Sequence, residues 1–267
     1  MSARVDRYGF KTHLLAGGKA VNGWCSIPSP VTAEIVARAG FDSVSIDLQH
    51  GLIDYAGALN MLQAVDILGV PTLARVPWNE PGIIMKLLDA GVGGIICPMI
   101  NTRAEAEQLV AATRYAPMGG RSFGPTRAIP LWGSDYVKRA GDLITVFAMI
   151  ETRQALNNLD DILTVEGIDG VYVGPADLGL SLGYQPTLLP TDKEVQDGIA
   201  TILSKANAAG KLAAIHCGSP EMAADMLEKG FSLASLMTDV RILTAALGEQ
   251  LAQTRKAQHT DGGKGGY

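Results

Sequence analysis

Cysteine is scarce in this sequence: Cys25, Cys97 and Cys217 are the three in 267 residues, and no Cys-x-x-Cys pair occurs. A sparse, odd count excludes a disulfide framework and fits buried thiols in a reducing compartment. Long hydrophobic runs are missing as well. None approaches the roughly 20 apolar residues that span a bilayer, and the opening stretch Met1–Lys19 lacks the apolar core of a secretion signal. Basic charge is in short supply, with 22 Lys and Arg against 27 Asp and Glu, net −5. That balance offers no patch for nucleic acid or an anionic membrane. The expectation is a cytoplasmic protein with no nucleic-acid and no membrane partner. The acidic balance does not define the substrate, because a metal ion or an arginine can reverse the local field.

What is abundant is apolar sequence in short pieces. Hydrophobic residues make up 47%, enough for a large core. Apolar runs recur at Gly23–Ile27, Ser43–Asp47, Thr72–Val76, Gly94–Pro98, Ile144–Ile150, Gly170–Val173, Leu212–His216 and Leu233–Met237. Most are too apolar for a strand with one wet face and suit a parallel sheet covered on both sides. Helical stretches lie between them: Val31–Ala39, Tyr55–Leu68, Gly82–Ala90, Arg103–Arg114, Leu156–Val165, Asp192–Ala209, Pro220–Lys229 and Val240–Ala257. Gly69, Gly91, Gly210 and Gly230 follow helices where a left-handed residue is needed. Pro81 and Pro220 sit near helix starts, and Thr191 and Asp192 are candidate caps for the long sixth helix. Eight β-then-α units close a (β/α)8 TIM barrel, for which about 250 residues is typical. An open doubly wound sheet is the competitor, but the turn Ile27-Pro28-Ser29-Pro30 lacks its glycine-rich nucleotide loop. The expected organisation is one barrel domain over residues 1–259 and a disordered Gly-rich tail from Thr260 to Tyr267.

One stretch breaks the rhythm. Tyr115–Asp142, rich in Gly, Pro and Arg, reads as a long connection, with Arg121, Ser122 and Phe123 in a mobile loop over an active site. An ordinary surface insertion is the other reading.

Barrel chemistry sits at the C-terminal ends of the strands. Five ionisable residues collect there: Asp47, His50, Arg75, Glu151 and Asp177. Glu151 and Asp177 come from neighbouring strands and suit a hard divalent cation such as Mg or Mn; solvated strand-end acids, or an acid–base pair without metal, are the alternatives. Asp47, three residues before His50, can orient the imidazole as a general base; a structural histidine is the plainer reading. Arg75, partly buried, needs an anion: a substrate oxygen, or Asp47 itself. Gly174-Pro175-Ala176 is a turn whose amides, those of Ala176 and Asp177, can hold a carboxylate, or simply a turn.

At this point the residues match a known family. From about Val21 to Gln250 the chain resembles the HpcH/HpaI aldolases, the class II pyruvate aldolases typified by 4-hydroxy-2-oxoheptane-1,7-dioate aldolase. The matching stretches are Gly40-Phe41-Asp42 leading to Ile46-Asp47-Leu48-Gln49-His50-Gly51, then Arg75-Val76-Pro77-Trp78-Asn79, Arg114-Tyr115-Ala116-Pro117-Met118-Gly119-Gly120-Arg121, Met149-Ile150-Glu151-Thr152 and Gly170-Val171-Tyr172-Val173-Gly174-Pro175-Ala176-Asp177-Leu178. The resemblance implies a phosphoenolpyruvate/pyruvate-type barrel and reversible aldol cleavage of a 4-hydroxy-2-oxo acid to pyruvate, or hydroxypyruvate, and an aldehyde. It implies that Glu151 and Asp177 hold Mg, Mn or Co, which chelates the 2-oxo acid. Arg75 then contacts the oxo oxygen, and His50, supported by Asp47, is the base acting through a water. Trp24 lies near the substrate, and the loop after Gly119 closes over the aldehyde. A homo-hexamer that exchanges the last helix is also implied. Gln49 departs from the commoner Glu, which leaves that position a hydrogen-bonding part but no acid–base one. Two alternatives are an acyl-CoA lyase of the malyl- or citramalyl-CoA type, for which no basic CoA groove is evident, and a non-catalytic barrel that binds a small acid.

Overall fold

The computed structural model describes residues 5–261. In chain order the elements are α1 (Phe10–Leu15), β1 (Ala20–Cys25), α2 (Pro30–Arg38), β2 (Ser43–Asp47), α3 (Tyr55–Asp66), β3 (Thr72–Arg75), α4 (Pro81–Asp89), β4 (Gly94–Cys97) and α5 (Arg103–Thr113). They continue with α6 (Ala128–Trp132), α7 (Tyr136–Leu143), β5 (Thr145–Ile150), α8 (Arg153–Asn157), α9 (Leu159–Leu163), β6 (Gly170–Val173) and α10 (Pro175–Leu182). The last are α11 (Lys193–Ala208), β7 (Leu212–His216), α12 (Pro220–Lys229), β8 (Leu233–Thr238) and α13 (Asp239–Asp261). All eight strands run parallel in sequence order, and β8 returns to β1 to close the barrel. The expected eight-stranded (β/α)8 barrel is the observed one.

The strands form because both of their faces are covered. Every residue of β2, β4, β5 and β6 is buried, so continuous apolar runs, not alternation, mark them. Outward side chains meet the helix ring. Inward ones, among them Leu73, Ile96, Phe147 and Tyr172, fill the barrel as a second core. Helix starts are set by Ser29, Asp54, Thr102 and Ser219, each of which accepts a first-turn amide, the ordinary capping bond. Asp192 precedes α11 as expected but caps nothing with its side chain.

Several elements differ from expectation. Helix α1 was not foreseen: Phe10 and Leu14, one turn apart and buried, join the inner core and plug the N-terminal end of the barrel. The expected helix Leu156–Val165 is two short ones, α8 and α9, broken at Asn158. The stretch Tyr115–Asp142 is no structureless loop, since α6 and α7 occupy its second half. The expected tail from Thr260 lies outside the described residues except where α13 reaches Asp261.

A polar belt interrupts the inner core. Ser43 donates to Asn22 Oδ1 at 2.8 Å, and Asn22 Nδ2 donates to Ser45 and Ser235, each at 2.9 Å. All four residues are buried, so the belt satisfies polar groups that would otherwise be costly. At the C-terminal end of the chain, α13 keeps Val240, Ile242, Leu243, Leu247 and Leu251 exposed. It does not lay that face on its own barrel.

Candidate active site

The barrel ends β2 and β3 in register, with Asp47 directly opposite Arg75. Adjacency makes the pair: Arg75 Nε donates to Asp47 Oδ1 at 2.8 Å and Nη2 to Oδ2 at 2.7 Å, a two-pronged ion pair. Asp47, 1% exposed, also accepts Trp24 Nε1 at 3.2 Å and the amides of Gln49 and His50 at 3.1 and 3.3 Å. Burial alone would push its carboxyl up, but the Arg75 bonds and charge, the indole N–H and the His50 amide reverse that and hold it below the usual carboxylate range. Burial likewise opposes the charge on Arg75, and Asp47 more than restores it. The guanidinium lies over the Trp24 ring, 4.9 Å from its centre. Asp47 takes the Nε–H and one N–H of Nη2, so the N–H groups of Nη1 and the second of Nη2 are left for a ligand.

His50 is exposed at the rim. The Asp47 carboxylate meets its backbone amide, not its ring, so the expected Asp47–His50 dyad is not formed. A spacing of three residues allows either contact, and the neighbouring arginine claims the oxygens. Gln49 is half-buried, and its Oε1 is buried without a hydrogen-bond partner among the described residues.

On the opposite side, Glu151 follows β5 and is 2% exposed. Its Oε1 accepts the Met99 amide at 2.8 Å, and Met99 holds a left-handed backbone, φ 56°, to present it. A non-glycine residue in that region stores strain, which concentrates at functional positions. Burial pushes the Glu151 carboxyl up to about 7; the Met99 amide opposes this, Asp177 adds to it and Arg75 eases it. Asp177 is exposed in the first turn of α10. The turn foreseen at Gly174-Pro175-Ala176 is the start of that helix. Gly174 is its N-cap and provides no side-chain cap, and Pro175 follows it. A Cβ on Gly174 would stand 2.5 Å from Glu151 Oε2, so a larger residue there would force that carboxylate oxygen to shift.

This donor set fits a hard divalent cation. Two carboxylates from adjacent β–α units supply oxygen, one buried and electrostatically unsettled by the other. No group of three or more His, Cys, Asp or Glu that could hold a metal occurs among the described residues. A cation here would therefore rely on two protein carboxylates and keep positions open for ligand and water.

One rim residue escaped the sequence reading. His216 ends β7, edge-on to Trp24 with ring centres 4.8 Å apart, and its Nδ1 faces the Tyr172 hydroxyl at 3.4 Å. It obeys the same strand-end rule that picked out the others. Met99 had no such signal, since a positive φ at a non-glycine residue leaves none in the sequence.

Arg121, Ser122 and Phe123 lie elsewhere. Arg121 is buried, bonded to Asp89 Oδ1 at 2.7 Å and Tyr136 Oη at 3.0 Å, over the Tyr115 ring at 4.5 Å. The Ser122 amide meets Met85, and Phe123 is 72% exposed. Asp89 ends α4 and leads to the start of β4. An α-to-β connection returns to the N-terminal end of a barrel, so this segment does not cover the mouth of its own chain.

The family model for "HpcH/HpaI aldolase/citrate lyase" matches residues 23–246. A hydroxypyruvate/pyruvate aldolase from Rhizorhabdus wittichii is 45% identical, over 90% of this chain and 95% of its own. A 4-hydroxy-2-oxo-heptane-1,7-dioate aldolase from Escherichia coli is 37% identical, over 94% and 96%. The crystal structure of an HpcH/HpaI aldolase/citrate lyase family protein from Burkholderia cenocepacia superposes with a TM-score of 0.86 at 28% identity, covering 93% of this chain and 99% of that one.

Proposed function

The chain belongs to the HpcH/HpaI aldolase/citrate lyase family, and from that premise we infer that it is a carbon–carbon lyase. It cleaves a 4-hydroxy-2-oxo acid reversibly to pyruvate or hydroxypyruvate and an aldehyde. The observation that carries this reading is that Glu151, after β5, and Asp177, in the helix after β6, share the strand-end rim with a guanidinium already fixed by Asp47.

Glu151 and Asp177 are the residues that would hold a divalent ion, Mg, Mn or Co. When bound it supplies Lewis acidity toward the 2-oxo acid. The chain's own groups do the rest. Arg75, oriented through Nε and Nη2, directs its remaining N–H groups at the oxo oxygen and holds the negative charge that develops there as C3 loses its proton. Its geometry is set before substrate arrives, which is the source of the advantage. The first-turn amides of Ala176 and Asp177 receive the substrate carboxylate, favoured by the helix N-terminus. His50, exposed at the rim and held by its backbone to Asp47, takes the C3 proton through a water. Trp24 forms the apolar floor, and Gln49 Oε1 is a buried acceptor without a partner among the described residues. No Schiff-base lysine is required.

The test is aldol activity with pyruvate or hydroxypyruvate and a panel of aldehydes, before and after chelation, with Mg, Mn or Co restored. Activity lost on chelation and regained with metal is expected. Glu151→Ala or Asp177→Ala should abolish it, and normal turnover by either variant would sink the assignment.

We also infer a homo-oligomer, a hexamer in which α13 seats its exposed Val240, Leu243 and Leu247 on a neighbouring barrel. Light scattering of the whole chain against Leu243→Asp tests it. No helix among the described residues is long and apolar enough to cross a membrane; a cytoplasmic location is part of the same proposal, tested by fractionation.

A further inference from the structure

His216 is a mouth residue to which the chemistry above gives no role. Its surroundings determine what it can do. The belt inside the barrel has a fixed direction, because an amide nitrogen can only donate. Asn22 Nδ2 donates to Ser235 Oγ, so the Ser235 hydroxyl proton is free for another acceptor. Burial pushes the Tyr172 phenol up, and the neighbouring Ser235 side chain works against that. The Tyr172 hydroxyl faces His216 Nδ1 at 3.4 Å, where a phenol O–H can donate to an unprotonated ring nitrogen. An imidazole that accepts at Nδ1 and is neutral carries its proton on Nε2. Burial, with Arg75 beside it, pushes the imidazole down to about 3, against the opposing pull of Asp47.

The direction of Nε2 follows from the strands. Tyr172 pairs with Ala214, two residues below His216 on the next strand, so Nδ1 points into the barrel. The two ring nitrogens diverge, and Nε2 points away from Tyr172, toward the open end. No protein group bonds Nε2 among the described residues. Arg75 is electrostatically coupled to both Glu151 and His216. The mouth thus has a carboxylate half at β5–β6, an imidazole and indole half at β7–β1, and the guanidinium between them.

We propose that His216 Nε2–H donates a hydrogen bond to a hydroxyl oxygen on the reacting carbon chain, so that the site selects hydroxylated substrates over their unsubstituted analogues. The proposal rests on the aldolase reading. A 2-oxo acid with its carboxylate on the Ala176 and Asp177 amides and its oxo oxygen at Arg75 presents its third carbon, and the aldehyde that joins there, to the remaining half of the mouth. The hydroxyl can belong to either partner: the C3 hydroxyl of hydroxypyruvate, or the hydroxyl next to the carbonyl of a hydroxyaldehyde. Tyr172 acts through His216 and is a positioning residue. Trp24 packs edge-on and keeps the ring from turning.

The experiment crosses two donors, pyruvate and hydroxypyruvate, with two acceptors, acetaldehyde and glycolaldehyde, at saturating Mg. It compares the parent protein with His216→Leu, His216→Gln and Tyr172→Phe. For the partner whose hydroxyl is read, His216→Leu should lower kcat/KM about tenfold while the plain analogue changes less than about threefold. His216→Gln, which keeps a donor, should recover most of the preference; Tyr172→Phe should lose part of it while folding as the parent does. Nitrogen NMR of the parent imidazole should show the Nε2–H form. An equal loss with all four pairings, an unchanged preference in His216→Leu, or an Nδ1–H tautomer overturns the role of His216. If His216→Leu does not fold, the Gln and Phe variants and the tautomer decide the matter alone. A parent protein inactive with every pairing overturns the aldolase reading itself, a result distinguishable from the others.

Discussion

Removing the Asp47 carboxylate is the sharpest perturbation this structure offers. In Asp47→Ala, Arg75 stays in place with a side chain 12% exposed and loses both charge-assisted bonds, of 2.8 and 2.7 Å. Breaking a buried pair by deleting one partner costs about 3–5 kcal/mol, because the other charge is left uncompensated. The Trp24 N–H and two amides also lose their acceptor, but their bonds are longer, 3.1–3.3 Å, and the amides at the rim can turn to water. The expected loss is about 4 kcal/mol, or about 8–16 °C in unfolding midpoint for a chain of this size. Urea titration should show a lower midpoint with an unchanged slope. Both proteins must be at one concentration, since assembly feeds into apparent stability. Asp47→Leu with Arg75→Met removes both charges and should recover most of the loss. The pH dependence has a definite sign. A carboxyl held below its usual value contributes stability above the unfolded pKa, about 3.9, and loses it as pH falls through the depressed one. The gap between parent and Asp47→Ala should be flat from pH 5 to 8 and narrow only in stronger acid. A single variant that loses under about 1 kcal/mol, or a double variant worse than the sum of the two, would refute the reasoning.

Other outcomes follow from the same geometry. Gly174→Ala, whose Cβ would stand 2.5 Å from Glu151 Oε2, should keep the fold by circular dichroism but weaken Mg or Mn binding at least tenfold by calorimetry. With burial pushing Glu151 up to about 7, metal affinity should rise with pH through that value, with proton release visible in buffers of different ionisation enthalpy; a flat affinity from pH 5.5 to 8 would contradict it. Arg121→Met strips Asp89 and Tyr136 of their partner at the other end of the barrel and should cost about 2–4 kcal/mol by urea titration.

The barrel was legible because its strands are buried on both faces and its helices end at glycines such as Gly91 and Gly230, which do adopt positive φ. Helix α1 was not, because Phe10 and Leu14 acquire a partner only once the strands around them have closed. In the site, residue type at a strand end located the rim: Asp47 and Arg75 end β2 and β3, Glu151 follows β5 and Asp177 lies in the first turn of α10. Pairing was less so. Spacing suggested that Asp47 serves His50, whereas strand register gives it to Arg75, and register is a tertiary property. Arg121 was misplaced although chain order held the answer, since it follows a helix and precedes a strand. His216 was overlooked because it read as the end of a strand and not as a group on the rim.

The filled barrel interior has a kinetic consequence. With Leu73, Ile96, Phe147 and Tyr172 packed inside the barrel, the mouth is a pocket with a single opening, and traffic through it is last in, first out. On the proposed reading, a 2-oxo acid bound at this site would sit beneath whatever joins its third carbon. In the cleavage direction the aldehyde must leave before the 2-oxo acid can. Product inhibition should then be competitive with substrate for the 2-oxo acid and noncompetitive for the aldehyde, the pattern of an ordered queue.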